Sequence, residues 1–467
     1  MIYAKIKLDT IVVLIMCMSY VKIKLERKCR DMKQLTCIII GAGSRGRRYS
    51  RNMNLDRDKF CVVGVAEPVD TRRNFVKDMY DIPEENCYES WEPILDRPKF
   101  ADFAVIATQD EMHFEPAMKA IELGYDLLLE KPISPSPLEC KLIAEAAEKK
   151  GVKVVVCHVL RYTPLFIKIK DLILSGEIGE VVSLEALEPV GIKHMSHSFV
   201  RGAWRNSDTS CPMILAKSCH DVDLIQWLIG KECKKVHSFG SLRYFRKENK
   251  PEGAPKRCID GCPHAKDCIF DTAKLYQGED NEGGIWFKDA AALTVNATEE
   301  EVEKALRNTS YGYCVFDSDN NVVDHQVVNM EFEDGVTASF TMTAFTPDKR
   351  GREMRIFGTK GIIEIFGKND YIYVTRYADS TMSGEKTPIT FDVRRKEDKD
   401  GIGIVSGHGG GDGGIIDAIY YEFNNAYTGN SISTGHVSYI NHLISFAAEK
   451  SRVEGTVVDI DEYADSL

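Results

Sequence analysis

The stretch Gly41-Ala42-Gly43-Ser44-Arg45-Gly46 constrains this chain more than any other. A short β-branched run over residues 36–40 leads into it, and residues 47–53, with helical character, lead out. A strand, a Gly-x-Gly-x-x-Gly turn and a helix, in that order, are what a dinucleotide diphosphate requires. Gly41 makes the tight turn, Gly43 lets backbone approach the phosphates, and Gly46 lets helix pack on strand, while the helix start supplies N–H groups and a positive dipole end. Ser44 and Arg45 open that helix and are read with the glycines as cofactor-binding. The next apolar run, residues 60–66, ends in Glu67, 21 residues after Gly46. An acid there accepts both ribose hydroxyls of NAD and repels a 2′-phosphate. Arg72 and Arg73 nearby offset that preference in part, so NAD is expected and NADP is left open.

Apolar runs and helical patterns then alternate: strands over 102–107, 126–129 and 153–157, helices over 112–123 and 137–150. This alternation implies a parallel sheet with right-handed crossovers, whose ligands sit at the carboxyl ends of strands. Thr108, Glu130 and Lys131 fall at such ends. The 467 residues suit two or three domains. With 60 Lys+Arg against 71 Asp+Glu, a net charge of −11, the chain lacks the basic surface of a nucleic-acid or anionic-membrane binder. Its 14 cysteines are too sparse for a disulfide scaffold. Most, such as Cys37, Cys61, Cys157 and Cys219, stand singly in apolar runs, as reduced thiols of a cytoplasmic protein do. Residues 1–31 include an apolar stretch at 11–21, shorter than the roughly 20 residues a membrane span needs and without a small-x-small cleavage site. They are expected to lie outside the fold, with Met32 as the functional start.

Several motifs together give the chain a resemblance to the Gfo/Idh/MocA oxidoreductases. They are the glycine loop, Ala107-Thr108 with His113 five residues on, Glu130-Lys131-Pro132, Arg161-Tyr162, and Leu174-Ser175-Gly176-Glu177-Ile178-Gly179, with His220 and Asp223 matching in part. The resemblance covers nearly everything from Met32 onward. It implies an α/β fold: a Rossmann domain over 32–157, and an α+β domain over 158–467 whose large, mostly antiparallel open sheet binds substrate on one side. The other side of that sheet would build a homodimer or homotetramer. It further implies a nicotinamide cofactor contacted by Thr108, His113 and Glu130, and a sugar, inositol or other polyol substrate near Arg161 and Tyr162. Lys131 becomes the catalytic residue. Independently, a cation beside a lysine favours the neutral amine, which takes a hydroxyl proton while hydride leaves for the nicotinamide. Without the glycine loop, Lys131 would read as a surface lysine paired with Glu130.

The sequence departs from the family pattern in Leu215-Ala216-Lys217-Ser218-Cys219-His220-Asp221-Val222-Asp223. Ala216 stands where the resemblance implies an aspartate four residues before the histidine. One repair brings in Lys217, since two neighbouring ammonium groups disfavour each other's charge and free one as base, with His220 orienting substrate or relaying the proton. The plainer alternative pairs Lys217 with Asp221 and leaves His220 merely packed.

Residues 246–307 change character, becoming charged, Gly-rich and loop-like. They hold Cys258, Cys262 and Cys268, which with Cys314 or His264 have the makings of a tetrahedral zinc site; reduced thiols and a redox disulfide are the alternatives. Strand alternation returns over 322–332, 337–344, 355–357 and 362–366. The glycine run 406–412 reads either as a mobile loop, with His408 and Asp412 closing over a polyol hydroxyl, or as a simple linker to a helix at 415–425. The chain is thus expected to be an NAD(P)-dependent oxidoreductase of CH–OH groups. Two other readings are an NAD-dependent glycosidase or lyase working by transient oxidation, and a non-catalytic sugar or dinucleotide sensor.

Overall fold

A computed structural model describes residues 32–348, 350–367, 371–382, 384–385, 387–393 and 408–467. The expected N-terminal extension and Ser406-Gly407 lie outside the described residues.

The first sheet has six strands: β1 (Leu35–Ile40), β2 (Phe60–Ala66), β3 (Cys87–Tyr88), β4 (Phe103–Ile106), β5 (Asp126–Leu129) and β6 (Val154–Val156). Their order is β3-β2-β1-β4-β5-β6 and every pair is parallel. Central parallel strands are buried on both faces, so they read as continuous apolar runs. β1 shows the partition: Ile38 and Ile40 join one core, Leu35, Cys37 and Ile39 the other. The second core is completed from far along the chain. Helix Gly411–Phe423 lays Ile415, Ile416, Ile419 and Phe423 against the β1–β4 face. The glycine run expected as a loop or linker is described only from His408 onward. His408–Gly410 forms one turn, and Gly411 already begins the helix.

The second sheet runs Ile389–Asp392, β13 (Tyr371–Arg376), β12 (Gly361–Ile365), β11 (Glu353–Gly358), β7 (Val181–Pro189), β10 (Thr337–Thr343), β9 (His325–Phe332), β8 (Cys233–Ser241) and Val458–Asp459. Only β7 and β10 pair in parallel. Alternate residues of β9 and β10 (Val328, Met330, Ala338, Phe340, Met342) are buried with Leu224 and Leu228 of helix Cys219–Ile229 and Leu443 of helix Gly435–Glu454. The opposite face is left open, with Phe239 62% exposed beside Val327 on β9, and Phe366 exposed farther across the sheet, after β12. Among the described residues no helix is long and apolar enough to cross a membrane.

Residues 246–307, expected as loop, instead carry helices Thr272–Tyr276, Gly284–Ala292 and Glu299–Asn308 around a small core of Leu275, Tyr276, Phe287, Ala291, Val302 and Leu306. The third helix opens with a full capping box between Thr298 and Glu301. Its apolar residues recur at 302, 305 and 306, a stripe hidden in the sequence by the acids around it.

Candidate active site

The glycine loop ends β1. Gly41 has φ +88, and a Cβ there would stand 2.5 Å from the Ala107 carbonyl; at Gly46 it would stand 2.0 Å from the Gly41 carbonyl. Both glycines serve the turn itself. Gly43 differs: its φ is −62 and no atom lies within 4 Å of a Cβ built there. Helix Ser44–Asn54 starts at that open side with no side chain capping its first N–H groups. A bare glycine before an uncapped helix start is a cradle for an anion. Glu67, 4% exposed at the end of β2, accepts the Ala42 N–H (2.7 Å) and the Val69 N–H (3.1 Å). Arg73 donates to the Glu67 carbonyl (2.6 Å) and to Asp70, so it is tied down beside that carboxylate. These groups fit a dinucleotide: backbone donors for the diphosphate and an acid at the ribose position.

Other expected cofactor contacts have different partners. The Thr108 hydroxyl donates to the Met112 carbonyl (3.0 Å) and shapes the loop after β4. His113 is buried with Nδ1 donating to the Pro132 carbonyl (2.8 Å), so it supports the Lys131–Pro132 turn, whose peptide bond is cis, while its Nε2 is buried without a partner. Arg45 turns inward, with Nε on Glu130 (2.7 Å) and its terminal nitrogens on Asp412 (2.8 and 3.3 Å). Glu130 also accepts the Tyr49 hydroxyl and the Lys131 N–H (2.9 Å). Burial pushes the Glu130 carboxyl up, but Arg45 and then Lys131 outweigh it and hold it below the usual carboxylate range.

Lys131, just past β5, sends Nζ to the main-chain carbonyl of Ala216 (2.8 Å). The position that lacks a carboxylate thus supplies a carbonyl oxygen. His220 stands close by. Burial, then the Lys131 charge, lowers its pKa well below the ordinary value, and its Nδ1 is buried without a partner. Around it runs a row of imidazoles, of which His158 and His442 carry no motif of their own in the sequence. His442 lies 5.5 Å from His158 between ring centroids, His158 lies 5.9 Å from His220, and His220 lies 5.9 Å from His408. His442 is fixed as neutral imidazole, donating from Nδ1 to the Ser438 carbonyl (2.7 Å) and accepting the Ile133 N–H at Nε2 (3.0 Å). The only signal of His158 in the sequence is its place at the carboxyl end of β6. His442 sits in what reads as a core helix. At the cavity end, His408 Nδ1 meets Asp412 at 3.0 Å, and Asp412 is the carboxylate that Arg45 holds. Burial pushes the Asp412 carboxyl up, yet the His408 hydrogen bond and Arg45 keep it below its ordinary value.

Lys217 pairs with Glu188 (3.2 Å), not with Asp221. Asp221 is taken by Arg352 (2.6 Å), which also bridges to Glu188 (2.8 Å). Lys131 and Lys217 each have an acceptor of their own, which removes the reason for pairing the two ammonium groups. Arg161 and Tyr162 do not reach the substrate space. Arg161 is 2% exposed, with two nitrogens on Asp223 at 2.7 Å each, and the Tyr162 hydroxyl meets Ser433 at 3.0 Å inside the second core. An Arg-Tyr pair after a strand looks alike in sequence whether it faces a ligand or a buried carboxylate.

A cavity of about 1370 Å³ opens between the second sheet and the 272–292 helices, walled by Glu188, His194, Lys217, Asn281, Trp286 and His408. Burial, then Lys217, lowers the His194 pKa to about 3. The cysteine cluster does not assemble as a zinc site. Among the described residues no three His, Cys, Asp or Glu side chains come together as a metal needs. Cys258 instead accepts from Arg201 (3.5 Å), a cation that opposes a second one, and Cys268 accepts the Phe270 N–H (3.4 Å).

Comparison with known proteins bears on this geometry. Residues 35–158 match the model of the GFO_IDH_MocA oxidoreductase family's NAD-binding Rossmann fold, and residues 170–460 match that of its C-terminal alpha/beta domain. The putative oxidoreductase YteT of Bacillus subtilis is 25% identical over 331 residues, 68% of this chain and 72% of that protein. The scyllo-inositol 2-dehydrogenase (NAD(+)) of the same organism is 27% identical over 218 residues, 45% of this chain and 58% of that one. The solved structure of a levoglucosan dehydrogenase with NADH and levoglucosan has the same fold, with a TM-score of 0.64, 18% identity, and coverage of 92% of this chain and 100% of that one.

Proposed function

The chain belongs to the GFO/IDH/MocA oxidoreductase family, and from that premise we propose that it transfers hydride between NAD and a hydroxyl-bearing carbon of a sugar, inositol or related polyol. One observation carries the reading. Lys131 stands just past the carboxyl end of β5, held on the Ala216 carbonyl beside His220, and His408, 5.9 Å from His220 between ring centroids, lines a large cavity. Bound NAD⁺ supplies the hydride acceptor. The residues of this chain do the rest. Gly43 and the helix start at Ser44 hold the diphosphate, and Glu67 takes the ribose hydroxyls and disfavours a 2′-phosphate. Lys131, as neutral amine, takes the proton of the substrate hydroxyl, and the Ala216 carbonyl steadies the ammonium that results. His220 and His408 bind neighbouring hydroxyls, with Asp412 keeping the His408 imidazole turned so that Nε2 faces the cavity.

The open face of the second sheet, carrying Phe239, Val327 and Phe366, supports a homodimer or homotetramer built there. The twelve free cysteines among the described residues support a reducing, cytoplasmic setting. The test is a screen of NAD⁺ and NADP⁺ against sugars, inositols and glycosides. The expected result is reduction of NAD⁺, in preference to NADP⁺, by at least one polyol. Retained cofactor with release of an aglycone and no net reduction would make the protein a glycosidase, and binding without turnover, unaffected by Lys131→Ala, would make it a sensor.

A further inference from the structure

The insertion over 246–307 packs on its own small core, yet one side of it walls the substrate cavity. Trp286, on helix Gly284–Ala292, lines that cavity and is 45% exposed. Its setting is fixed. The His194 ring meets it edge-on at 5.3 Å, and the adjacent Phe287 stacks flat on His197 at 3.7 Å and 9°. An ion pair between Lys193 and Glu282 ties the insertion to the segment that carries His194. His194 in turn feels the charges of Lys217 and His408. His408, Lys217, His194 and Trp286 all line this one cavity. Near the last of these, Asn281 donates from Nδ2 to the Gly278 carbonyl (2.8 Å), while its Oδ1 is buried without a partner and the residue lines the same cavity. The cavity, about 1370 Å³, exceeds the roughly 300–1,000 Å³ typical of sites for a single small ligand.

We propose that the insertion builds a second sugar-binding subsite from Trp286 and Asn281, so that the substrate is a glycoside. One ring sits at His408 and Lys131 and the next lies on Trp286. This rests on the polyol oxidoreductase reading and names its substrate class. A pyranose has an apolar C–H face and a rim of hydroxyls. The indole plate covers the first, removing apolar surface of both from water. A turn of the Asn281 side chain that brings its buried Oδ1 to the cavity wall lets a rim hydroxyl donate to it and satisfies an acceptor otherwise left unmade. A peptide or an aliphatic chain would use the plate but not the acceptor at its side.

The full chain, without cofactor, is titrated with glucose, galactose, cellobiose, gentiobiose and lactose while indole emission is followed. Of the four tryptophans, Trp286 is the one in this cavity. The expected result is that at least one disaccharide binds about tenfold or more tighter than either of its monosaccharides, with a change in emission. That preference falls to near unity in Trp286→Ala and in Asn281→Ala and is partly kept in Trp286→Phe. The proposal is overturned if no disaccharide outbinds its parts, or if the preference survives both alanine variants. The oxidoreductase reading fails separately, when wild-type protein reduces neither NAD⁺ nor NADP⁺ with any sugar, inositol or glycoside; the disaccharide preference is still read in that case.

Discussion

Two glycine-rich turns open helices on the same side of this molecule, and they use glycine for different reasons. In the first, Gly41 and Gly46 are required by the turn and the packing, but Gly43 faces nothing in the protein itself. In the second, a Cβ at Gly411 would stand 2.1 Å from the Val159 carbonyl and one at Gly414 would stand 2.4 Å from the Tyr162 carbonyl. The second run is bare because its helix presses on the turn after β6; the first is open at Gly43, where the proposed dinucleotide would come close. The Arg45–Asp412 ion pair joins the two. A glycine that the protein does not itself need is the better mark of a ligand.

The largest expected effect comes from cutting the joint. Asp412→Asn removes the fully buried carboxylate from a part-buried guanidinium and from His408, and should lower unfolding free energy by about 3 kcal/mol, read from denaturant midpoints. Gly43→Val should separate the two runs: cofactor affinity, by calorimetry, falls about 100-fold while the thermal midpoint stays near wild type, because the side chain meets no protein atom. Equal loss of stability and affinity would erase the distinction. Gly411→Ala should do the reverse, costing about 2 kcal/mol of stability by overpacking. Acidification acts on many groups at once, so its effect accumulates rather than separating the two runs, because it loads the imidazoles behind the second run. Burial holds His442 and His194 near about 3, below the ordinary 6.5, and lowers His158 and His220 as well. The unfolded chain therefore binds more protons below about 6.5. Stability is intact above that pH and is lost as pH falls toward about 3, by about 1.4 kcal/mol per pH unit for each histidine. A flat profile between pH 7 and 5 would contradict this.

The parallel sheet and the glycine cradle were legible in the sequence because their signals are local. β1, β2, β4, β5 and β6 are apolar runs, while β3, only Cys87–Tyr88, carries no such signal, and the loop's spacing to Glu67 and Lys131 is fixed by short elements. The second site was legible only in pieces. Ala216 reads as a missing aspartate, but its backbone carbonyl holds Lys131, and no residue type reports what a main chain does. Arg161 and Tyr162 have the right neighbours in sequence and the wrong ones in space. His158 and His442 come together from positions 284 apart, a juxtaposition no pattern shows. The insertion looked like loop because the acids at 299–301 hid a helix that they cap. The cysteines there stand close in sequence, yet Cys258 faces Arg201 rather than a metal.

The central claim is that Lys131 accepts the proton as hydride leaves a polyol carbon for the nicotinamide. Its most direct test supplies a substrate found in the NAD⁺ screen, deuterated at the carbon that is oxidised, and follows the label by mass spectrometry. The account predicts deuterium on the reduced nicotinamide, with the rate falling at least about 100-fold in Lys131→Met while NAD⁺ still binds. Deuterium lost to water, or transfer undiminished in Lys131→Met, would contradict it.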